Sequence, residues 1–343
     1  MKKGLTIMGI VFACFFLGNL AFADAEYNIE AVTSNHQLDK KKSYFDLRVK
    51  PGEEFDIELF INNTSKQDAS FTVDANTATT NPALNINYSQ KNPELDKSMR
   101  FVFSKMAKVD RRKVTIPPTS RKKVVIHLKI PNERFNGMVL GGIHVRRELN
   151  AAEKETSGYV NRFSYVKGVK LTQNDGLVEG DLKLLDVVGE EQHNRIKVKS
   201  LIQNPTSAAI GPLKWVCTMT NKQTGILVKE QEQDQAVIAP NTQFPYYLDF
   251  DPGKLKTGSY HLKIVATLQT GKEWVLERDF DVTLKDVEGS TDIPRTGFHM
   301  EAKTASKHTF LFAAMGAAFA TFLFFIIIWK RRKKEEEEEE NAE

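Results

Sequence analysis

The carboxylate pairs Glu53-Glu54 and Glu190-Glu191 are the first residues of this chain to weigh as chemistry. General acid and base work by two carboxylates needs surroundings that push their pKa values apart. Both pairs read as loop residues with no apolar pocket signal beside them. Histidines come next: His36, His127, His144, His193, His261 and His299 precede the C-terminal apolar segment, and His308 adjoins it. No two stand at metal-ligand spacing, and no His-x-x-x-His occurs. The Gly-x-Ser-x-Gly elbow, the phosphate loop and the dinucleotide-binding glycine pattern are also missing. Asp249-Phe250-Asp251-Pro252-Gly253 starts like a calcium loop, but the later acidic ligands are lacking and Pro252 suits a turn. The expectation is a protein that is not an enzyme, with no catalytic residues, no metal and no cofactor.

Binding remains, and aromatic side chains are its usual instruments. Tyr44, Phe45 and Tyr88 stand in the first half; Trp215, Tyr246, Tyr247 and Trp274 stand in the second. Most Trp and Tyr are largely buried. Tyr246 and Tyr247 are adjacent, so in a strand one of them faces outward.

The elements that would position these residues have a period of two. Phe55, Ile57, Leu59 and Ile61 alternate with more polar neighbours and stop at Asn62-Asn63-Thr64-Ser65. Phe71, Val73 and Ala75 form the next strand, then Val124, Ile126, Leu128 and Ile130. Met138 to Val145 follows, and Gly141-Gly142 inside it signals a bulge or a close backbone approach. Asn92 to Val109 reads as a helical or irregular insertion. Glu148 to Ser157 is a polar linker, and a second alternating series begins near Val160. In it, Leu213, Trp215, Cys217 and Met219 share a face, Tyr260 to Leu268 is the cleanest strand, and Trp274 to Leu284 is the last. Short strands at this spacing predict an all-β fold of two tandem immunoglobulin-like antiparallel sandwiches, residues 26–150 and 158–285. A weak repeat links the halves: Ile61 to Ser65 resembles Ile202 to Ser207, and Val114 to Thr119 resembles Val237 to Thr242.

The ends place the chain. Met1 to Ala23 has early lysines, an apolar core and an Ala-Phe-Ala site, the pattern of a secretory signal peptide. Phe310 to Trp329 is apolar and long enough to span a bilayer, and Lys330 to Lys334 after it should stay cytoplasmic. A single-pass membrane protein is expected, with residues 26–285 in the wall space, a stalk at 286–309, the helix at 310–329 and a cytoplasmic tail at 330–343. Cys217 is the lone cysteine of the exported part, so no internal disulfide is possible there, and its apolar neighbours make it a small buried hydrophobe. Residues 26–150 hold 21 Lys and Arg against 15 Asp and Glu, a basic excess gathered at 40–42, 111–113, 121–123 and 146–147. Outside a cell this suits a wall polyanion or a set of solvated loop charges, and no nucleic acid is expected as a partner.

Ordered motifs now point to a family. Tyr44-Phe45-Asp46-Leu47, Val49-Lys50-Pro51-Gly52, Ala78-Thr79-Thr80-Asn81, Tyr88 and Phe135 to Ile143 stand in the first half. Ile238 to Thr242, Pro252 to Tyr260, Trp274 and Phe280 stand in the second. In this order the chain resembles the WxL-interacting proteins of Gram-positive surfaces. The resemblance implies a first domain that binds peptidoglycan or another wall polymer and a second that binds WxL-domain proteins. Tyr44, Asp46, Asn81, Tyr88 and Gly142 become the candidate wall contacts; Asp46, Asn81 and Gly142 serve equally as turn or bulge residues. Trp215, Tyr246, Tyr247 and Trp274 become the candidate partner contacts. The rival reading is a sortase-anchored wall adhesin, because Ile293-Pro294-Arg295-Thr296-Gly297 resembles a sorting signal.

Overall fold

A computed structural model of the 343-residue chain describes residues 26–150, 163–192, 195–251 and 254–283. The expected signal peptide, the stalk with Ile293 to Gly297, the 310–329 helix and the tail lie outside the described residues, as do most of the 148–157 linker and Leu284. Among the described residues no helix is long and apolar enough to cross a membrane.

Strands dominate because the alternation is sustained and interrupted by turn residues. The first half holds β1 (Tyr27–Ala31), β2 (Phe45–Arg48), β3 (Glu54–Asn63), β4 (Ala69–Thr77), β5 (Thr79–Thr80), β6 (Ile86–Asn87), the one-turn helix α1 (Phe103–Met106), β7 (Ala107–Val109), β8 (Lys113–Ile116), β9 (Arg121–Lys129) and β10 (Val139–Arg147). The helix falls within the insertion expected at 92–109. One sheet runs β1-β3-β9-β7. The other has β10 at its centre, paired with β4 on one side and with β11 (Ser164–Thr172) on the other; β2 and β8 are its edges. Ile57, Leu59, Ile61, Val124, Ile126 and Leu128 from the first sheet meet Val73, Ile143, Val145, Val169 and Leu171 from the second in one buried cluster. Each such side chain contributes about 1.5–3 kcal/mol of burial.

β11 departs from the expected domain bounds. It lies in the residue range expected for the second half, yet it completes the first half's sheet, antiparallel to β10 and parallel to β2. Val169 and Leu171 have their apolar partners there, and that burial decides where the strand goes.

The second half holds β12 (Lys183–Gln192), β13 (Arg195–Asn204), β14 (Ile210–Asn221), β15 (Leu227–Ile238), β16 (Thr242–Phe250), β17 (Gly258–Leu268) and β18 (Glu273–Val282). Its sheets run β12-β13-β16 and β15-β14-β17-β18. Trp215, Cys217 and Met219 of β14 lie opposite Ala266, Ile264 and Leu262 of β17, so the largest ring meets the smallest neighbour. Cys217 is buried, and desolvation pushes its thiol pKa up to about 12, as expected of an inert core residue.

The repeat has a physical basis. Asn63 ends β3 and Asn204 ends β13, and both are buried. The Asn63 amide donates to the carbonyls of Gln67, Ile116 and Pro117; the Asn204 amide donates to those of Ala208 and Ala239. Each Oδ1 accepts from the residue two places on, Ser65 or Thr206. Each asparagine thus ties a strand end to the Pro-containing corner. Thr119 and Asn241, both at positive φ, hold those corners by donating to the Ser65 and Thr206 carbonyls. These bonds match Pro118 with Pro240, one residue away from the alignment read in the sequence.

The halves are joined by the β5–β6 hairpin and the loop after it. Leu84, at its tip, is fully buried in the second half's core. Its carbonyl accepts from Val237 N–H at 2.8 Å, and Ala239 N–H donates to Thr80 Oγ1 at 2.9 Å. Gln203 donates to both Asp96 oxygens at 2.9 and 3.0 Å.

Candidate functional site

β10 supplies the floor. Gly142 and Gly168 stand directly opposite each other on the outward face of β10 and β11, while Ile143 and Val169 point to the core. Without β-carbons the two glycines let two tyrosines pack directly over the ladder. A β-carbon on Gly142 would come within 3.0 Å of Tyr88 Cβ and Cδ1 and 2.8 Å of Val166 Cγ1. A β-carbon on Gly168 would sit 3.7 Å from Tyr44 Cβ. The close approach expected at Gly141-Gly142 is therefore real on both faces, because Phe103 of α1 packs directly on Gly141 from the core side.

Local structure fixes both tyrosines. Tyr44 immediately precedes β2, whose Asp46 pairs with Lys170 across the parallel ladder. Tyr88 follows β6, and its carbonyl accepts from the buried Asn76 amide at 2.8 Å. Both rings are half-buried. Burial raises the Tyr88 pKa, and the neighbouring Tyr44 adds to the rise. Lys42 Nζ lies 5.4 Å from the Tyr44 ring centroid.

Asp46 is the charged centre, buried and held between two ammonium groups, Lys42 Nζ at 2.9 Å and Lys170 Nζ at 3.1 Å. Burial opposes its charge, but the two lysines outweigh burial and keep its carboxyl below the usual carboxylate range. His144 lies two residues along β10 on the same face, opposite Asp74 and Val166. It is buried, and its Nε2 has no hydrogen-bond partner. Desolvation lowers its pKa, Arg146 lowers it further, and Asp74 opposes them.

Four of the five expected wall contacts thus come together: Tyr44, Asp46, Tyr88 and Gly142. Asn81 does not join them. Its side chain accepts from Asn85 N–H at 3.0 Å and closes the β5–β6 turn that presents Leu84. Lys170, Gly168, His144 and Asn76 complete the face and were not singled out from sequence. The i, i+4 spacing of Lys42 and Asp46, and the alternation Val166-Gly168-Lys170, were the available signals. Part of the charge in the flanking basic clusters is paired: Lys123 meets Glu58 of the neighbouring strand at 2.9 Å, Arg112 meets Asp74 at 2.6 Å and Arg146 meets Glu148, two residues on, at 3.3 Å. The face can do what a saccharide or peptide platform does: stack two rings and hydrogen-bond through an ionised cluster. Among the described residues no cluster of His, Cys, Asp and Glu could hold a metal ion.

The expected partner contacts separate. Trp215 and Tyr246 are at most 1% exposed, with ring centroids 5.6 Å apart inside the sandwich. Trp274 is 9% exposed under Lys272. These three are corrected to core residues, since a ring surrounded by its own fold has no face left for a partner. Tyr247 alone faces outward, in the row Val188–Lys199–Tyr247 across the β12-β13-β16 sheet, with Lys197 Nζ 5.1 Å from its ring centroid.

No curated protein matches the chain. Solved structures resemble it weakly. A chaperone–tip adhesin complex of CFA/I fimbriae aligns at TM-score 0.31 and 9% identity over 74% of this chain and 98% of that one. The Escherichia coli chaperone DraB aligns at 0.27 and 14% over 75% and 96%, and the Pseudomonas aeruginosa CupB2 chaperone at 0.26 and 10% over 65% and 91%. Likenesses of that size assign nothing. Two family models are decisive: the WxL Interacting Protein peptidoglycan binding domain matches residues 27–147, and its host binding domain matches residues 154–290. With the two domains matched in the order the motifs require, the chain belongs to the WxL-interacting protein family.

Proposed function

We propose that this is a non-enzymatic cell-surface scaffold whose first domain grips peptidoglycan through the glycine-floored tyrosine face and whose second domain grips a protein partner. The observation that carries the wall reading is the convergence of Tyr44, Tyr88 and the Lys42–Asp46–Lys170 cluster on one surface, every member but Lys170 lying inside the segment matched by the peptidoglycan-binding model. Ring stacking supplies apolar contact area, and charge-assisted hydrogen bonds supply orientation.

The partner surface is the outward face of β12-β13-β16, centred on Tyr247 and flanked by the exposed Val188. The second family model is described as host binding, so a host protein is the first candidate there, ahead of the WxL-domain protein expected from the resemblance. Seven strands in a three-plus-four arrangement support an immunoglobulin-like class for this half. Export by residues 1–23 and attachment by residues 310–329 complete the proposed bridge between envelope and partner.

Co-sedimentation of the full chain with purified sacculi tests the wall reading. The Tyr44→Ala/Tyr88→Ala double variant should stay in the supernatant while Tyr247→Ala pellets as wild type. A double variant that pellets as wild type overturns the assignment.

A further inference from the structure

A cavity of about 370 Å³ lies where the two halves meet, within the size range of small-ligand sites, which favour domain junctions. Thr79 and the loop residues Gln90 and Glu94 form one wall; Lys199 of β13 and Gln243 and Pro245 of β16 form the other. Thr79 is 7% exposed, and its hydroxyl has no hydrogen-bond partner. Its oxygen has no surface open to the cleft, so the exposed side chains carry the contact. The side chains of Gln90, Gln243 and Glu94 make no hydrogen bond to any described residue. The Lys199 ammonium stands at the rim, 3.4 Å from Glu190.

These groups select a class of ligand. β16 is the edge of its sheet, and edge strands capture extended peptides through backbone hydrogen bonds. That mode is closed here. Pro245 has no N–H to offer. The start of β16 is occupied by the β5–β6 hairpin, through Thr80 Oγ1 and Thr242 Oγ1 at 3.0 Å. What remains free is a set of side-chain amides and a carboxylate on two walls, beside the apolar ring of Pro245. Such groups pair with the hydroxyl and acetamido groups of a sugar, whose C–H face fits an apolar ring.

We propose that this cleft is a saccharide site built by both domains, taking N-acetylated amino sugars. The choice of sugar rests on the wall-binding reading above; the site itself is separate from the tyrosine face. The full chain is titrated with a soluble N-acetylglucosamine oligomer by calorimetry, and the same titration is run on Glu94→Ala/Gln243→Ala and on Lys199→Glu. Neither variant removes a core side chain, so unchanged thermal unfolding controls for folding. Saturable binding weakened about tenfold or more in the double variant supports the cleft, two hydrogen bonds being lost. Absence of binding at millimolar oligomer, or equal binding by wild type and both variants, overturns it. Sacculus binding that depends on Tyr44 and Tyr88 while the oligomer fails to bind refutes the cleft and leaves the proposed function standing.

Discussion

Leu84→Ala is the perturbation with the clearest magnitude. Leu84 belongs in sequence to the first half, yet its side chain is 0% exposed and belongs to the second half's core cluster, which also holds Trp215 and Phe244. Cutting it to Ala removes buried methyl and methylene groups and leaves a cavity at the junction, at a cost of about 2–5 kcal/mol. For a folded body of this size that is roughly 2–4 °C per kcal/mol, so melting should fall by about 4–20 °C. Backbone geometry adds a second, opposite signal. Leu84 sits at φ 55°, where a non-glycine residue pays about 1–2 kcal/mol. Leu84→Gly loses one further carbon, worth about 0.8 kcal/mol, but relieves that strain. Glycine should therefore be as stable as alanine here or more so, the reverse of an ordinary core site. Urea unfolding of the full chain, followed by tryptophan fluorescence, reads both numbers, since Trp215 and Trp274 report the second half. A cost below about 1 kcal/mol for Leu84→Ala would refute the claim that the hairpin plugs the second core.

Other consequences are direct. Asn63→Ala or Asn204→Ala should each destabilise by at least about 1–3 kcal/mol, because carbonyls at the strand-end corners lose their donor; denaturant titration checks this. Cys217 should resist a thiol reagent at pH 8 in the native protein and react after unfolding, given a pKa of about 12 and full burial; stoichiometric native labelling would contradict the packing. His144 has a folded pKa lowered from 6.5, so the unfolded chain binds more protons below that value. Its contribution to stability is complete above about pH 6.5, falls with pH until the lowered folded pKa is reached, and should vanish from the pH profile in His144→Phe. Asp46, with its folded pKa lowered, contributes stability above about pH 4 that is lost as pH falls through the folded value. Asp46→Asn should flatten that acid limb in thermal melts across pH.

Much of this was legible in the residues. Alternation at Ile57 to Ile61, Val124 to Ile130 and Leu213 to Met219 set which side chains are inside, because a half-buried strand must alternate. The repeated Asn and Pro corners were visible because a buried turn amide is hard to replace. Three features were not legible, and each is non-local. Alternation does not say which sheet a strand joins, so β11 looked like part of the second half. Leu84 reads as one loop leucine, and only the approach of the two halves makes it core. Trp215 and Tyr246 looked like contact aromatics because residue type does not reveal the facing layer. Within the candidate site, Tyr44, Asp46 and Gly142 were visible from motif order, whereas Lys170 and Gly168 needed the parallel pairing of β2 with β11.

The central claim is that the tyrosine face over Gly142 and Gly168 is where the wall is held. Hydrogen–deuterium exchange of the full chain with and without soluble muropeptides locates the contact directly. Slower exchange in residues 42–48, around Tyr88 and in 139–147 and 164–172, with none at β14 or β17, is the predicted result. Protection confined to the β12-β13-β16 sheet, or no protection in residues 42–48 and 139–147 at saturating ligand, would contradict it.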